Sequence, residues 1–173
     1  MTDTELKGLI RDIVDFPKPG IVFRDLTPLL SDARALAAVV DQLAEPFLGK
    51  VDLVLGIESR GFIIGAPVAY RLGVGFAIAR KPGKLPYQKV AQSYALEYGS
   101  DSLEMHQDGL AGHKRVAIID DLLATGGTAQ AASLLVGTLG GEVVGCGFLI
   151  ELSALGGRER LAPINCFSLV QYG

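Results

Sequence analysis

The sequence has few of the residues on which several classes of protein depend. It contains only two cysteines and two histidines in 173 residues, and neither pair has the company or spacing of a zinc site. Cys146 and Cys166 each lie inside an apolar run, which predicts small buried side chains and neither a disulfide nor a metal site. His106 and His113 flank a glycine-containing turn and are interpreted as surface residues.

Long apolar runs and an excess of positive charge are also missing. No run reaches the roughly 18 to 20 residues that span a bilayer, and the start, MTDTELKGLIRDIVDF, carries acids where a signal peptide is basic and then apolar. A cytoplasmic location is therefore expected. A net charge of −3 gives no overall attraction to nucleic acid or to an acidic membrane, so neither is expected as a partner. With 49% hydrophobic and 20% charged residues, 1–173 is predicted to form one globular domain.

The chain does contain alternating strand-like and helix-like stretches. Apolar runs with the length of buried strands lie at 51–57, 74–80, 115–120 and 142–152, and 163–173 can add a last strand. Helical patterns lie at 4–13, from Ser31 or Asp32 to just before Pro46, at 62–72 and at 128–139. This alternation favours an α/β fold with a mostly parallel central sheet flanked by helices.

The interval 81–114 is much longer than an ordinary connection in such a fold. It contains two alternating pieces, SYALEY and SLEMHQ, joined by GSD, which predict a hairpin or ribbon. An excursion of this size is often a lid or a binding loop.

The stretch VAIIDDLLATGGT, 116–128, places Asp120 and Asp121 at the end of a strand and a small-residue turn before a helix. Ligands of parallel sheets bind beyond the carboxyl ends of the strands. The glycines of the turn allow close backbone approach, and the helix amides and threonine hydroxyls can bind a phosphate. The turn is neither a Walker A loop nor a dinucleotide fingerprint. Carboxylates suit the hydroxyls of a sugar or a Mg²⁺ ion that the ligand carries, so the stretch indicates a sugar phosphate as ligand. The spacing alone also allows a solvated strand end at the aspartates and a simple turn at the glycines.

The same stretch resembles the phosphoribosyl diphosphate signature of the type I phosphoribosyltransferases. The blocks FPKPGIVFRDLTPLL, GIESRGFIIG, RKPGKLP and YALEYG resemble those of the members that act on adenine, over 16–153. The resemblance implies a type I phosphoribosyltransferase fold with a small N-terminal hood within about 1–34 and a flexible lid at about 81–114. It implies that adenine and 5-phospho-α-D-ribose 1-diphosphate form AMP and pyrophosphate in purine salvage, with Mg²⁺, and that the protein is a homodimer.

The resemblance also assigns residues to parts of the ligand. The loop expected at the 5-phosphate comprises Ala124, Thr125, Gly126, Gly127 and Thr128. Asp120 and Asp121 would face the ribose hydroxyls and favour a positively charged sugar. Mg²⁺ is implied mainly through the ligand's own oxygens, with direct contact to either aspartate as the alternative. The loop expected at the leaving diphosphate comprises Glu58, Ser59, Arg60 and Gly61, of which Arg60 is expected to be catalytic.

Further positions follow from the lid and hood blocks. Arg80, Lys81 and Lys84 are expected to meet diphosphate oxygens when the lid closes, or else form a solvated basic turn. Glu97 is expected to take the proton from N9 of adenine, or to order the lid through Tyr98 and the lysines. The adenine wall is expected to consist of Val22, Phe23 and Arg24, with an internal Arg24–Asp25 ion pair as an alternative use of the arginine.

Two other functions remain open at this point. A phosphoribosyltransferase for xanthine, hypoxanthine, guanine or orotate would differ only in the hood and the lid. A non-catalytic regulator that binds phosphoribosyl diphosphate would normally add a DNA-binding segment, for which the first 50 residues leave no room. Such a binder would also not need Lys81, Lys84 and Glu97.

Overall fold

The computed structural model describes residues 1–95 and 100–173. The strands of this part are β1 Arg11–Val14, β2 Val22–Asp25, β3 Leu53–Ile57, β4 Gly75–Ala79, β5 Lys89–Ala95, β6 Ser100–His106, β7 Arg115–Leu123, β8 Glu142–Leu152 and β9 Cys166–Tyr172. The helices are α1 Asp3–Lys7, α2 Thr27–Ser31, α3 Ala33–Ala44, α4 Arg60–Leu72, α5 Gly127–Thr138 and α6 Gly157–Leu161. Short 3₁₀ turns lie at Glu45–Phe47 and Ser153–Leu155.

The central sheet consists of five parallel strands in the order β4-β3-β7-β8-β9. Successive residues of a strand point to opposite faces, so Val54 packs with α3 and α4 while Leu55 faces the α5 side. Helices α1, α3 and α4 cover one face, and α5 together with the β5–β6 hairpin covers the other. The predicted α/β fold with a parallel sheet flanked by helices is confirmed.

Strand order places the carboxyl ends of β3 and β7 side by side. From β3 the chain crosses through α4 to the edge strand β4, whereas from β7 it crosses through α5 to β8 on the other side. The two connections leave the sheet in opposite directions, which opens a crevice between adjacent strands. The loops that follow β3 and β7 face each other across this crevice.

The predicted helix at 4–13 is wrong beyond its first turns. A capping box between Thr2 and Glu5 starts α1, but the helix ends at Lys7, and residues 11–14 form strand β1. The spacing of apolar residues is helical there, yet pairing with β2 in an antiparallel hairpin satisfies the backbone of 11–14 instead. The region predicted as the hood, about 1–34, therefore contains the β1–β2 hairpin. Farther on, Asp32 caps α3 through the amide of Ala35, as one of the two predicted start points.

The long excursion contains the predicted hairpin. Strands β5 and β6 pair antiparallel from Lys89 opposite His106 to Ala95 opposite Ser100, and the turn between them lies outside the described residues. His113 is exposed as expected, but His106 is half-buried, with its ring 5.9 Å from that of Tyr87 in an edge-to-face contact. The surface interpretation of His106 is therefore wrong, because its strand packs onto the domain.

The two cysteines occupy adjacent strands. Cys146 on β8 and Cys166 on β9 are register partners, and both are buried and free.

Among the described helices, none has the length and apolarity that crossing a membrane requires.

Candidate active site

A cavity of about 580 Å³ lies at the carboxyl ends of β3 and β7. Four segments line it: the hood, the loop after β3, the start of the excursion, and the end of β7 with the loop that follows. The lining residues are Phe23, Glu58, Ser59, Arg60, Lys81, Asp120, Asp121, Leu122, Leu123, Ala124, Thr125, Gly126, Gly127, Thr128 and Ala129. Most of the residues singled out in the sequence therefore meet at one place.

The loop after β7 presents the start of α5 to the cavity. Gly126 precedes the helix with φ of 79°, a conformation that favours glycine, and no side chain caps the helix N-terminus. The first turn of α5 carries no acidic residue. Its backbone amides therefore remain free to donate to an anion, and the helix dipole favours negative charge at this point.

The loop after β3 presents a second helix N-terminus. No side chain caps α4, and its first residue is Arg60. Gly61 lies so close to β7 that an added Cβ would stand 2.7 Å from Oδ1 of Asp120 and 3.0 Å from the carbonyl oxygen of Ile119. Only glycine lets the start of α4 approach the end of β7 this closely, so Gly61 acts here through packing and is not among the lining residues.

Asp120 and Asp121 lie within β7, which continues to Leu123, three residues beyond the predicted end of the strand. Nε of Arg60 lies 2.7 Å from Oδ2 of Asp121, whose side chain is buried. Burial and the adjacent charge of Asp121 raise the pKa of Asp120 well above its ordinary value. Burial also raises the pKa of Asp121, although Arg60 opposes that change. Keeping both aspartates ionised in this site therefore costs free energy, and Arg60 is the counter-ion beside them.

Glu58 organises the basic residues at the end of β4. Its carboxylate accepts hydrogen bonds from Nη2 of Arg80 at 3.0 Å and from the backbone amide of Lys81 at 2.9 Å. The hydrogen bond from Arg80 is the largest cause of a lowered pKa for Glu58. Arg80 also donates to the carbonyl oxygen of Lys84, whose own side chain is exposed. Neither Arg80 nor Lys84 is among the described residues that line the cavity.

Lys81 connects the cavity to the β5–β6 hairpin. Its ammonium group donates to the hydroxyl of Tyr94 at 2.8 Å and forms an ion pair with Asp101. Burial alone would lower the pKa of Lys81, but the hydrogen bonds to Asp101 and Tyr94 leave that pKa raised. The lysine is therefore held in its charged form at the edge of the cavity.

The hood contributes Phe23 to the cavity wall. The guanidinium carbon of Arg60 lies 5.4 Å from the centre of the Phe23 ring, which joins the hood to the acidic pair through one side chain. Val22 is exposed and does not line the cavity. The guanidinium carbon of Arg24 lies 3.9 Å above the ring of Tyr172, and the arginine pairs with Asp12.

The alternative Arg24–Asp25 ion pair is not formed, because Arg24 is turned toward β9 and β1. Asp25 instead accepts hydrogen bonds from the amide and hydroxyl of Thr27, at 2.9 and 2.8 Å, where α2 begins.

The family model of the phosphoribosyl transferase domain matches residues 25–172. An adenine phosphoribosyltransferase of Acaryochloris marina is 55% identical over 169 residues, covering 97% of this chain and 99% of that protein. The crystal structure of adenine phosphoribosyltransferase from Thermoanaerobacter pseudethanolicus has a TM-score of 0.94 at 52% identity, covering 99% of this chain and 100% of the other.

The chain belongs to the adenine phosphoribosyltransferases. A further member, from Saccharomyces cerevisiae, is 38% identical with a TM-score of 0.90 and covers 97% of this chain and 98% of its own. That structure was solved with D-2,5-dideoxy-2,5-imino-altritol 1,6-bisphosphate and adenine. Of the bases that the sequence left open, these relatives identify adenine as the substrate. They also identify the chain as an enzyme and not as a regulator.

As an adenine phosphoribosyltransferase, the chain is a pentosyltransferase that forms AMP and pyrophosphate from adenine and 5-phospho-α-D-ribose 1-diphosphate. Its substrates are small molecules. Three cavity residues, Leu122, Leu123 and Ala129, were missed by sequence reasoning, although they lie inside or beside the recognised stretch. Glu97 lies outside the described residues, so its role stays a prediction.

Proposed function

We propose that the cavity between β3 and β7 is where this transfer takes place, with the 5-phosphate on 124–128 and the diphosphate on 58–61. One observation carries the proposal: two uncapped helix N-termini, those of α4 and α5, converge on one cavity with a pair of carboxylates between them. Each N-terminus suits a phosphate group, and the carboxylates suit the hydroxyls of a sugar between the two.

In this arrangement N9 of adenine forms a bond to C1 of the ribose as the bond from C1 to the diphosphate oxygen breaks. The electron pair of the broken bond leaves with the diphosphate, and the proton of N9 is released to a base. Positive charge develops on the ribose during the step. Asp120 and Asp121 hold the sugar hydroxyls and stabilise that charge because their own negative charge lies beside it.

The departing diphosphate gains negative charge, which the cations on its side of the cavity offset. Arg60 can turn from Asp121 to a bound diphosphate, because Arg60 lines the cavity and its side chain is 37% exposed. Lys81 adds a second cation at the cavity edge. Arg80, which lies on Glu58, and the exposed Lys84 join only if the excursion moves inward.

At the base, Phe23 provides the apolar wall that stacks against adenine. Val22 and Arg24 contribute through the backbone of β2, since the Arg24 side chain is held on Tyr172. Glu97 takes the N9 proton in this proposal, and ordering of the lid by the same carboxylate is the alternative. For Glu97→Gln, loss of an ionisation from kcat with an unchanged KM for phosphoribosyl diphosphate supports the first role, whereas a raised KM supports the second.

The residues present fit Mg²⁺ only if the ligand supplies part of its coordination. In the described ranges, no group of three or more His, Cys, Asp or Glu side chains is arranged to hold a metal ion, whereas Asp120 and Asp121 place two carboxylates in the cavity. When bound with the substrate, Mg²⁺ would neutralise part of the leaving group's charge. Asp120 and Asp121 would then hold the metal through the sugar hydroxyls or water.

We also infer a homodimer and a cytoplasmic location. Helix α4 leaves Ile63 51% exposed and Tyr70 89% exposed on one side, an apolar surface that a second copy would cover. Cys146 and Cys166 are free although they are strand neighbours, which suits a reducing compartment. Sedimentation of wild type and Tyr70→Glu tests the first inference, and fractionation of cells tests the second.

The reaction is tested by incubating the protein with phosphoribosyl diphosphate, Mg²⁺ and each nucleobase in turn. Pyrophosphate and nucleotide are expected in equal amounts with adenine, and only at far lower rates with hypoxanthine, guanine, xanthine or orotate. Turnover with another base in place of adenine would contradict the assignment. Omission of Mg²⁺ is expected to abolish turnover.

A further inference from the structure

The back of the 5-phosphate loop is in direct contact with α6, a helix that does not reach the cavity. A Cβ on Gly157, the first residue of α6, would stand 2.3 Å from the carbonyl oxygen of Ala124 and 2.8 Å from Cδ1 of Leu123. A Cβ on Gly126 would in turn stand 2.7 Å from the carbonyl oxygen of Gly157. The two backbones are therefore packed with no room for a side chain between them, so α6 supports the loop from behind.

Helix α6 cannot hold this position by itself. It contains only five residues, too few for an isolated helix to be stable in water. Its buried Leu161 provides one apolar anchor. The other anchors are side-chain contacts made by the two arginines of α6, Arg158 and Arg160.

Arg158 ties α6 to the last two strands of the sheet. Its guanidinium donates to both carboxylate oxygens of Glu151 on β8, with Nε to Oε1 at 3.1 Å. It also donates to the hydroxyl of Ser168 on β9 at 3.1 Å and to the carbonyl oxygen of Cys166. Ser168 donates to Glu151 and completes the group, which we call the Arg158 cluster: Arg158, Glu151 and Ser168.

The carboxylate in this cluster is buried. Glu151 is only 5% exposed, and its hydrogen bond with Arg158 is the largest cause of its lowered pKa. A buried charge of this kind is costly unless it is paired, so removing Arg158 leaves Glu151 without its counter-ion. Glu151 is also the register partner of Leu123, the residue from which the 5-phosphate loop begins. The cluster thus acts on the loop from two sides, through β7 and through α6.

We propose that Arg158 is a positioning residue for the 5-phosphate: through Glu151 and α6 it fixes the loop 124–128 in the geometry that binds the phosphate. The proposal rests on the proposed role of that loop. Arg158 is not among the described lining residues of the cavity, so its effect passes through the loop and not through contact with the ligand. Arg160 supports the same arrangement from the other end of α6, with Nε 3.1 Å from Oε1 of Gln130 in the first turn of α5.

The test compares ligands that use different loops. In Arg158→Ala, the KM for phosphoribosyl diphosphate should rise about tenfold, and inhibition by ribose 5-phosphate should weaken by a similar factor. Inhibition by pyrophosphate, which uses 58–61, should change by less than about twofold, and so should the KM for adenine. Arg158→Lys, which keeps the charge but loses the two-pronged hydrogen bond, should lie between Arg158→Ala and wild type.

Arg115→Ala provides a matched control. Arg115 makes a similar two-pronged ion pair, with Asp52, but at the opposite end of β7 from the loop. Arg115→Ala should leave both KM values and both inhibition constants within about twofold of wild type. If Arg158 has only a structural role, its variants will contain less folded enzyme, with lower turnover per total protein and an unchanged KM and inhibition pattern, and the proposal is then wrong.

Two further variants separate the possible failures. If Arg158→Ala does not fold, Arg158→Lys and Glu151→Gln decide, and unchanged constants for phosphoribosyl diphosphate and ribose 5-phosphate in both overturn the proposal. Thr128→Ala tests the loop itself. If Thr128→Ala weakens inhibition by ribose 5-phosphate and Arg158→Lys does not, only the positioning role of Arg158 fails. If Thr128→Ala has no effect, the assignment of the loop to the 5-phosphate fails.

Discussion

The loop after β3 and the loop after β7 both lead into a helix at the cavity, yet their charges differ. Residues 58–61 include Glu58 and Arg60, and Glu58 in turn gathers Arg80 and the amide of Lys81. Residues 124–128 carry no charged side chain at all. In the proposed reaction the first loop meets a group that leaves with added charge, whereas the second holds a phosphate that does not change.

This difference in charge separates two tasks of the loops, namely binding the substrate and accelerating the reaction. Backbone amides at the start of α5 bind the ground state and the transition state alike, so they contribute mainly to affinity. Arg60 faces charge that increases as the bond breaks, so it contributes to the rate. Variants of the two loops are therefore expected to affect different kinetic constants.

The largest effect is expected for Arg60→Ala. We expect kcat to fall about 100-fold, because the arginine that offsets the departing charge and pairs with Asp121 is lost. Arg60→Lys should recover only part of the rate, since an ammonium lacks the planar guanidinium fork. Steady-state kinetics with both substrates measures this. A rise in KM with unchanged kcat would remove the distinction between the loops.

The acidic pair between the loops should give the next effect. Asp120→Asn combined with Asp121→Asn should lower kcat by more than about tenfold, because the charge beside the ribose is removed while the shape is kept. A fully active double variant would contradict the role of these residues at the sugar.

Asp120→Asn alone should also stabilise the fold. The folded-state pKa of Asp120 is raised above 3.8, so its ionisation opposes folding at neutral pH. The gain in Tm should be present at pH 7 and should shrink as the pH falls toward 3.8, where the unfolded chain also binds the proton. Thermal unfolding at several pH values measures the gain. An unchanged or lowered Tm at pH 7 would show that the carboxylate is better satisfied than its burial indicates.

A smaller effect is expected in the neutral loop. Thr128→Ala should raise the KM for phosphoribosyl diphosphate about fivefold with little change in kcat, because one hydroxyl contact is lost equally in both states. Thr138→Ala, at the other end of α5, is the matched control, since the Thr138 hydroxyl donates to the carbonyl oxygen of Leu134 and lies away from the cavity. Equal kinetics for the two variants would exclude the hydroxyl of Thr128 from binding.

The smallest effect concerns stability and Glu58. Its folded pKa lies below 4.5, chiefly because of Arg80, so its ion pair stabilises the fold above that pH and ceases to do so as the pH falls through the folded value. Glu58→Gln should therefore lower the Tm at pH 7 by a few degrees at most and have less effect at pH 4. Thermal unfolding at both pH values decides, and an equal loss at both would point to packing instead of charge.

The part of the candidate site that is local in the chain could be predicted from the sequence. Asp120, Asp121 and the turn that follows occupy one strand, one loop and one helix start, so their order along the chain also gives their arrangement in space. The same holds for Ser59 and Arg60 after β3. The sequence pattern of a strand, a glycine-containing turn and a helix can be recognised without knowledge of residues that are distant along the chain.

Other features depend on contacts that the linear pattern does not contain. Residues 11–14 have helical spacing but form a strand because β2 pairs with them. Arg24 turns to Tyr172, which is distant along the chain, and the side chain thereby leaves the predicted adenine wall. The Arg158 cluster joins α6, β8 and β9, and its importance depends on the unforeseen closeness of Gly157 and Ala124.

The side-by-side position of β3 and β7 limits which ligands can engage both loops at once. Neighbouring strands stay about 4.8 Å apart because their main-chain hydrogen bonds fix the spacing, and Gly56 is paired with Ile119 just before the two loops diverge. A sugar shortened or lengthened by one carbon cannot be accommodated by widening the sheet. The strand order therefore fixes the spacing of the two helix starts, and side chains such as Arg60 and Lys81 make the finer adjustment to a ligand.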